Sequence, residues 1–182
     1  MPRVIPTKLE GLVLVEPDVH GDERGFFVET FRIDAWRDLG IDQDFVQHNH
    51  SRSRRGVLRG MHFQTVPGQG KLIRCARGRI FDVAVDMRAG SPTLGQWEGF
   101  ELDDERHRQL FVPIGFGHGF CVLSEVADVN YLVTSTFDPR TESGFAWNDD
   151  QVGIEWPIED PQVSSRDADA PSFREVVEKA VA

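Results

Sequence analysis

The feature that most constrains the fold is a series of short apolar or alternating runs that fills residues 12–137. Strand side chains alternate between two faces, so each run suits a β-strand. Turn-forming segments such as GDERG at 21 and DPRTESG at 138 separate or follow them. This spacing predicts antiparallel sheets in a sandwich or barrel. The runs are LVLVEP, GFFVETF, DFVQHNHS, GVLRGMHFQ, KLIRCARGRIFDVAVDM, QWEGFEL, RQLFVPI, GHGFCVLS and DVNYLVTSTF.

Two segments favour helix. The run IDAWRDLG at 33–40 ends at Gly40, which suits a C-terminal cap. The run PSFREVVEKAVA at 171–182 contains Ser172 and, three residues later, Glu175, the pattern of a capping box. The preceding stretch EDPQVSSRDADAPS is polar and irregular, which by itself favours a surface tail.

Length and composition indicate one globular domain over residues 1–182, because 40% of the residues are hydrophobic. The formal net charge of -10 argues against nucleic-acid binding, although a few arginines in a pocket can still hold an anionic ligand. Cys75 and Cys121 lie in apolar runs without metal-ligand spacing, so we expect buried thiols. The N-terminus lacks an apolar signal core and no run of about 18 apolar residues occurs. We therefore expect a soluble, cytoplasmic protein that binds no membrane.

The run GVLRGMHFQ at 56–64 is unusual because a buried-looking strand carries Arg59 and His62. Strict alternation sends these two side chains to opposite faces. They converge only if Gly60 hosts a bulge, a strong twist or an unusual backbone angle, which glycine permits.

Other strands also carry polar residues in ordered positions. Gln47 and Asn49 share one face of their strand. Lys71 begins a strand and is either a rim lysine or one that faces the interior. Asp82 and Asp86 share a face with apolar neighbours, where they are either solvated or paired with a cation inside.

The segment PIGFGHGF at 113–120 has the pattern P-x-G-x-x-H, which resembles the second motif of the cupin superfamily of jelly rolls. Metal-binding cupins add two closely spaced histidines and a glutamate. Here the corresponding strand offers only His62, and His48 and His50 lie one strand earlier. We therefore expect no metal, which leaves His62 and His118 for other chemistry.

Taken together and in order, several segments resemble the dTDP-4-dehydrorhamnose 3,5-epimerase family from about residue 10 to residue 172. The resemblance implies an all-β, cupin-like jelly-roll barrel of antiparallel strands with short peripheral helices. The segments are RGFFVETF, QHNHSRSRRGVLRGMHFQ, QGKLIRCARGRIFDVAVDMRAGSPTLGQW, VPIGFGHGFCVLSEVADVNYLVTSTFDPRTESGFAWND, GIEWP and SSRDADAP.

The implied reaction converts dTDP-4-dehydro-6-deoxy-D-glucose, a nucleotide sugar, to dTDP-4-dehydro-L-rhamnose. The ketone at C4 acidifies the protons at C3 and C5. Each inversion needs a base on one face of the ring, an acid on the other and a stabilised enolate between them. This scheme requires no metal or redox cofactor.

The catalytic residues that the resemblance implies are four. His62 matches the family's base, and an imidazole suits proton removal at neutral pH. Asp167 in SSRDADAP matches the carboxylate that orients this histidine, so the C-terminal tail is expected to fold back onto the barrel mouth. Tyr131 matches the opposing acid. Lys71 matches a cation beside the enolate oxygen.

The resemblance also implies the residues that bind substrate. Arg24, Arg59 and Arg166 match positions that meet the diphosphate, where guanidinium is a good bidentate partner. His118 is expected near the sugar or the phosphate. The positions matching contacts to the base and the sugar hydroxyls are Glu29, Gln47, Asn49 and Glu142.

Three positions depart from the family pattern. Arg166 stands where lysine is common, and either residue keeps the charge. Phe137 stands where tyrosine often stacks on thymine, so stacking survives and a hydroxyl contact is lost. His48 stands where aspartate is usual.

The family is dimeric with exchanged N-terminal strands, so by analogy Arg24 and Glu29 reach the neighbouring subunit's site. Three alternatives stay open from the sequence. The first is a single-centre epimerase of secondary-metabolite biosynthesis, which keeps the same catalytic residues. The second is a cupin-type isomerase that moves the ketone from C4 to C3, against which GVLRGMHFQ and SSRDADAP argue. The third is a non-catalytic sugar- or metal-binding cupin.

Overall fold

The strands and helices come from a computed structural model that describes residues 2–181, with side chains described for residues 2–179. The strands are β1 (Arg3–Ile5), β2 (Val13–Glu16), β3 (Val19–Asp22), β4 (Gly25–Val28), β5 (Gln47–Arg54), β6 (Leu58–Gln64), β7 (Lys71–Arg77), β8 (Arg79–Asp86), β9 (Trp97–Asp103), β10 (Gln109–Val112), β11 (Phe116–Val122), β12 (Val126–Val133) and β13 (Glu142–Gly144). The helices are α1 (Ile33–Asp38), α2 (Ser165–Ala168) and α3 (Phe173–Val181).

The strands form two main antiparallel sheets and one hairpin. The larger sheet has the order β1-β2-β10-β7-β12-β5, and the smaller one has the order β13-β6-β11-β8-β9. Among the described strands, the remaining two, β3 and β4, pair only with each other. The predicted all-β, cupin-like architecture is confirmed, and every predicted run contains a strand. The short strands β1, β3 and β13 lie outside those runs.

The apolar core lies between the two sheets. Ile73 and Leu110 of the larger sheet pack in one cluster with Ile80 and Leu102 of the smaller sheet. Burying such side chains stabilises the fold by about 1.5–3 kcal/mol each. The predicted buried thiols are confirmed, because Cys75 and Cys121 are buried and free. Burial raises the pKa of each thiol to about 12, so both stay protonated at neutral pH.

The helices confirm both predicted segments and add a third. Gly40 follows α1 with a φ of 93°, the left-handed conformation typical of a residue after a helix. At the start of α3 the Ser172 backbone N–H donates to the Glu175 carboxylate at 2.8 Å and the Ser172 hydroxyl accepts the Glu175 backbone N–H at 3.3 Å, as a capping box requires. The unpredicted helix α2 lies inside the polar tail. None of the helices in the described residues is long and apolar enough to cross a membrane.

Candidate active site

A cavity of about 360 Å³ opens between the two sheets, and strands of both sheets line it. Nine of the thirteen residues proposed from the sequence contribute to its wall. They are Gln47, Asn49, Arg59, His62, Lys71, His118, Tyr131, Phe137 and Glu142. Three other residues line the cavity and were not predicted from the sequence: Ser51, Gln69 and Phe120. Ser51 follows Asn49 by two residues on β5, so the same alternation could have found it.

The backbone at Gly60 resolves the conflict between Arg59 and His62, which both line the cavity. In the pairing of β6 with β11, His62 lies opposite His118 and Arg59 lies opposite Phe120. Between these two pairs β11 advances by two residues, whereas β6 advances by three. The extra residue is a bulge, which turns the two side chains to one side. Gly60 has a φ of 135°, as its predicted special role requires. A Cβ on Gly60 would lie 2.6 Å from the Cα of Gly119, so only glycine fits.

Asp167 of α2 holds His62 in a defined orientation. The Nε2 atom of His62 lies 2.7 Å from the Asp167 carboxylate, which is only 5% exposed. The Ser164 hydroxyl accepts the Asp167 backbone N–H and caps α2, so the turn fixes the position of the carboxylate. The predicted return of the tail is therefore confirmed. Burial alone raises the pKa of Asp167, but hydrogen bonding and charge from His62 outweigh it and hold the pKa below its usual value.

The protonation of this pair follows from the hydrogen bond. An ionised carboxylate only accepts hydrogen bonds, so Nε2 of His62 carries the ring proton and donates a hydrogen bond to Asp167. The other ring nitrogen, Nδ1, then keeps its lone pair in the neutral imidazole. The pair can therefore accept a proton at Nδ1.

Tyr131 approaches the same cavity from the opposite sheet. It lies on β12, whereas His62 lies on β6 of the smaller sheet. Burial of the phenol raises the pKa of Tyr131, the positive charge of Arg59 lowers it and the negative charge of Glu142 raises it; the net shift is upward. The phenol therefore keeps its proton at neutral pH and can act as an acid facing the base.

Lys71 is a buried cavity residue rather than a rim lysine. Its Nζ lies 3.4 Å from the backbone oxygen of His62, in the space between the sheets. Burial lowers the pKa of Lys71 to about 8, while the charges of Glu142 and Asp82 act to raise it. The ammonium is therefore predominantly protonated at pH 7 and provides a positive charge inside the cavity.

A second imidazole–carboxylate pair lies beside the first. His118 is directly opposite His62 in the pairing of β11 with β6. Its Nε2 lies 2.9 and 3.0 Å from the two carboxylate oxygens of Asp82, which is fully buried. Of the two alternatives left open for Asp82, solvation is excluded, and its partner inside the protein is the His118 imidazole. Asp86 is also fully buried and binds Arg88, Ser91 and Thr93.

Polar side chains of the larger sheet line the outer part of the cavity. Gln47 donates from Nε2 to the Asn49 side chain at 2.8 Å, and its own Oε1 accepts the Phe137 backbone N–H at 3.0 Å. Phe137 is half exposed. His48 lies on the other face of β5, as alternation predicts, and lines a separate cavity of about 230 Å³.

Arg166 and Glu142 lie at the edge of the site and bind each other. The Arg166 guanidinium donates to the Glu142 carboxylate at 2.5 Å. Arg24 and Glu29 do not line the cavity of their own chain. Arg24 lies in the β3–β4 hairpin, exposed and paired with Asp22, and Glu29 lies near Arg32.

Within residues 2–179, no cluster of three or more His, Cys, Asp or Glu side chains could hold a metal ion. The two cavity histidines are instead each paired with one carboxylate.

Comparison with known proteins identifies relatives over nearly the whole chain. Residues 6–175 match the dTDP-4-dehydrorhamnose 3,5-epimerase family. The chain is 48% identical over 176 residues to dTDP-4-dehydrorhamnose 3,5-epimerase of Methanothermobacter thermautotrophicus, with 95% of each chain covered. It is 44% identical over 170 residues to dTDP-4-dehydrorhamnose 3-epimerase of Streptomyces niveus, with 92% of this chain and 82% of the relative covered.

A solved structure matches the whole architecture. It is the dTDP-6-deoxy-D-glucose-3,5-epimerase of Legionella pneumophila in complex with dTDP-4-keto-L-rhamnose. The TM-score is 0.95 at 44% identity, and the match covers 99% of this chain and 97% of the other.

Proposed function

The chain belongs to the dTDP-4-dehydrorhamnose 3,5-epimerase family and is a carbohydrate epimerase, and we propose that it inverts C3 and C5 of dTDP-4-dehydro-6-deoxy-D-glucose. The product is dTDP-4-dehydro-L-rhamnose. One observation carries the assignment of roles: the His62–Asp167 pair and Tyr131 reach one cavity from opposite sheets. A sugar ring between them has a base on one face and an acid on the other, as inversion requires.

Proton removal is the task of His62. Its Nδ1 lone pair takes the proton from the carbon beside the ketone, and the C–H electrons move into the enolate. The imidazolium that forms is stabilised by the negative charge of Asp167. A positioned base of this kind contributes about 10²–10⁴-fold to the rate.

Enolate stabilisation and reprotonation are the tasks of the opposite sheet. The Lys71 ammonium offsets the negative charge that develops on the C4 oxygen, and because Lys71 is buried this interaction is stronger than in water. Tyr131 then gives its phenolic proton to the carbon from the other face. The carbon–hydrogen bond forms on the side opposite the one that broke, and the centre is inverted.

Substrate binding involves the remaining polar wall. The diphosphate is bound by Arg59 and Arg166, with His118 near the sugar or phosphate. Phe137 stacks on the thymine, a role that its half-exposed ring at the cavity wall supports. Gln47 and Asn49 contact the base, and Glu142 contacts a hydroxyl of the hexose.

A homodimer with exchanged N-terminal strands completes the proposal. Over residues 2–181 the β3–β4 hairpin pairs with neither main sheet, and its Phe26 and Phe27 are 59% and 68% exposed. Two exposed phenylalanines on an isolated hairpin suit burial against a second copy. The hairpin would place Arg24 in the partner's cavity. Glu29, the first residue after β4, would reach the same cavity.

The proposed location is the cytoplasm. The two cysteines are free and buried, which is compatible with a reducing compartment.

A single-centre epimerase is the second candidate, because a 3-epimerase is among the relatives at 44% identity. Incubation of the substrate with the protein in deuterated water, followed by NMR of the product, separates the two. Deuterium at both C3 and C5 is expected. Label at one carbon alone would refute the two-centre reaction, and a 3-keto product would identify the ketone-moving isomerase.

The same assay tests the catalytic residues and distinguishes an epimerase from a cupin that only binds its ligand. His62→Ala should lower proton exchange by about 10²–10⁴-fold, whereas His50→Ala, on the other face of β5, should not. Equal exchange in His62→Ala and wild type would remove His62 from the mechanism. Tyr131→Phe should fold normally and fail in reprotonation, so unchanged turnover in that variant would contradict its role.

A further inference from the structure

The ion pair between Arg166 and Glu142 joins two residues that are both assigned to substrate. Arg166 directly precedes Asp167 in α2, and Glu142 is the first residue of β13. The Glu142 side chain is 17% exposed and lines the main cavity, whereas the Arg166 side chain is 52% exposed. Both residues also line an adjoining cavity of about 400 Å³, together with His62 and Asp167.

A carboxylate and a phosphate offer a guanidinium the same kind of partner. Both present anionic oxygens that accept charge-assisted hydrogen bonds in the plane of the arginine fork. The Glu142 carboxylate therefore provides Arg166 with the contact that a phosphate oxygen would provide. Because the Arg166 side chain is half exposed, solvent screens the ion pair and the arginine can readily exchange its partner.

We propose that Glu142 stands in for the substrate's diphosphate on Arg166 while the cavity is empty, and that substrate binding displaces it. The displaced carboxylate then faces the cavity and Lys71. This inference rests on the proposed function, in which Arg166 binds the diphosphate. It gives Glu142 a positioning role through Arg166 and Lys71, in addition to its contact with the hexose.

The charges around Lys71 explain why a released Glu142 matters. Lys71 faces Glu142 on β13 and Asp82 on β8, and the positive charge of Arg59 on β6 lies in the same wall. The other titratable groups of this wall are His62, His118 and Tyr131. Glu142 acts to raise the pKa of Lys71, against the stronger effect of burial. When Arg166 leaves, Glu142 loses the positive charge that it binds in the empty site, and Lys71 is held in its charged form more firmly.

The first experiment measures binding of dTDP by calorimetry to wild type and to Glu142→Gln. Glutamine keeps the shape of the side chain but removes the charge, so Arg166 is free in the empty site. We expect dTDP to bind at least threefold tighter to Glu142→Gln. Weaker binding would show that Glu142 touches the nucleotide directly, and unchanged binding would show that no exchange occurs; either result overturns the inference.

Two further variants separate exchange from simple charge repulsion. In an Arg166→Gln background, Glu142→Gln should not increase the affinity for dTDP. Without the arginine, the Glu142 carboxylate no longer competes with the diphosphate for a shared partner. A gain that persists there would mean that Glu142 only repels the diphosphate, which contradicts the inference. Glu178→Gln removes an equal charge from an exposed pair with Arg174 on α3 and should leave dTDP affinity unchanged.

A second readout is the pH dependence of kcat. Wild type should lose activity as the pH rises above about 8, because Lys71 has a pKa of about 8 in the empty site and the freed Glu142 raises that pKa in the substrate complex. Without Glu142 the pKa of Lys71 falls, so this loss should occur at lower pH in Glu142→Gln. Above neutral pH, Glu142→Gln should therefore bind dTDP more tightly than wild type and have a lower kcat. An unshifted profile would overturn the Lys71 part, and failure of wild type to bind dTDP or to epimerise would overturn the proposed function itself.

Discussion

The two imidazole–carboxylate pairs of the cavity use the same residue types and are built in different ways. His118 and Asp82 lie on neighbouring strands of one sheet, β11 and β8, so strand register alone brings them together. His62 also lies in that sheet, but its partner Asp167 comes from a helix 105 residues later in the chain. Asp82 is fully buried, whereas Asp167 is 5% exposed and borders two outer cavities.

The difference indicates a division of labour. A carboxylate inside a sheet is held by the hydrogen bonds of its strand, and its loss leaves a buried imidazole without a partner. A carboxylate on a short docked helix adds little to the core but sets the direction of the base. We therefore expect changes at Asp167 to reduce mainly activity and changes at Asp82 to reduce mainly stability.

The largest expected effect is on activity in Asp167→Asn. The amide keeps the size of the side chain but can donate to Nε2, which favours the wrong tautomer of His62 and places a proton on Nδ1. The variant should lose about 10²-fold or more in kcat, with little change in Tm. Steady-state kinetics and thermal unfolding measure the two effects. The control is Asp169→Asn, which removes an exposed carboxylate next to the same helix; a kcat within threefold of wild type in Asp167→Asn would break the comparison.

The next effect is on stability in Asp82→Ala. Removing a fully buried carboxylate that binds His118 twice should cost about 3 kcal/mol in the free energy of unfolding. At roughly 2–4 °C per kcal/mol for a chain of this size, Tm should fall by about 6–12 °C. Calorimetry measures the shift. The double variant with His118→Ala should recover part of it, because no unpaired imidazole remains; a loss below about 1 kcal/mol would show that the sheet pair is not structural.

A smaller effect is expected from the helix cap in Ser164→Ala. The Ser164 hydroxyl accepts the backbone N–H of Asp167, and losing such a cap costs about 1 kcal/mol. Because α2 has only four residues, the cost should appear as local fraying that lowers kcat several-fold. Hydrogen exchange of α2 amides reports the fraying, and Ser165→Ala, one residue away, is the matched control. Equal kcat in both variants and wild type would show that the sheet alone positions His62.

The smallest effect concerns acid stability. The pKa of Asp167 is lower in the folded protein than in the unfolded chain, so its contribution to stability is full above the unfolded value of about 3.8. The contribution is lost as the pH falls through the lower, folded value. Asp167→Asn should therefore lose less stability than wild type between pH 4 and pH 2. Urea unfolding across this range measures the slopes, and parallel curves would contradict the link to His62.

The sequence pattern predicted the sheets and much of the cavity wall because strand alternation is a local property. Alternation placed Gln47 and Asn49 on one face of β5, and it exposed the conflict between Arg59 and His62 that the bulge at Gly60 resolves. It could not choose between a rim and an interior position for Lys71. That choice depends on how the second sheet covers the first.

The C-terminal tail shows the limit of local reasoning most clearly. Its polar composition favours a surface segment, and only the family resemblance led to the expectation that Asp167 would reach His62. The pairing of Arg166 with Glu142 has no sequence signal, because the two residues lie on separate elements that the fold brings together. The β3–β4 hairpin is equally ambiguous, since its exposed phenylalanines carry no information about what covers them.

The sequence by itself determined the strands, their facing residues and the need for a special backbone at Gly60, because each follows from the two-residue period of a β-strand. Only the tertiary structure decided which carboxylate holds which histidine and which sheet faces His62. Those contacts join residues far apart in the chain. Their geometry depends on how two sheets and a docked helix pack together, which no local pattern records.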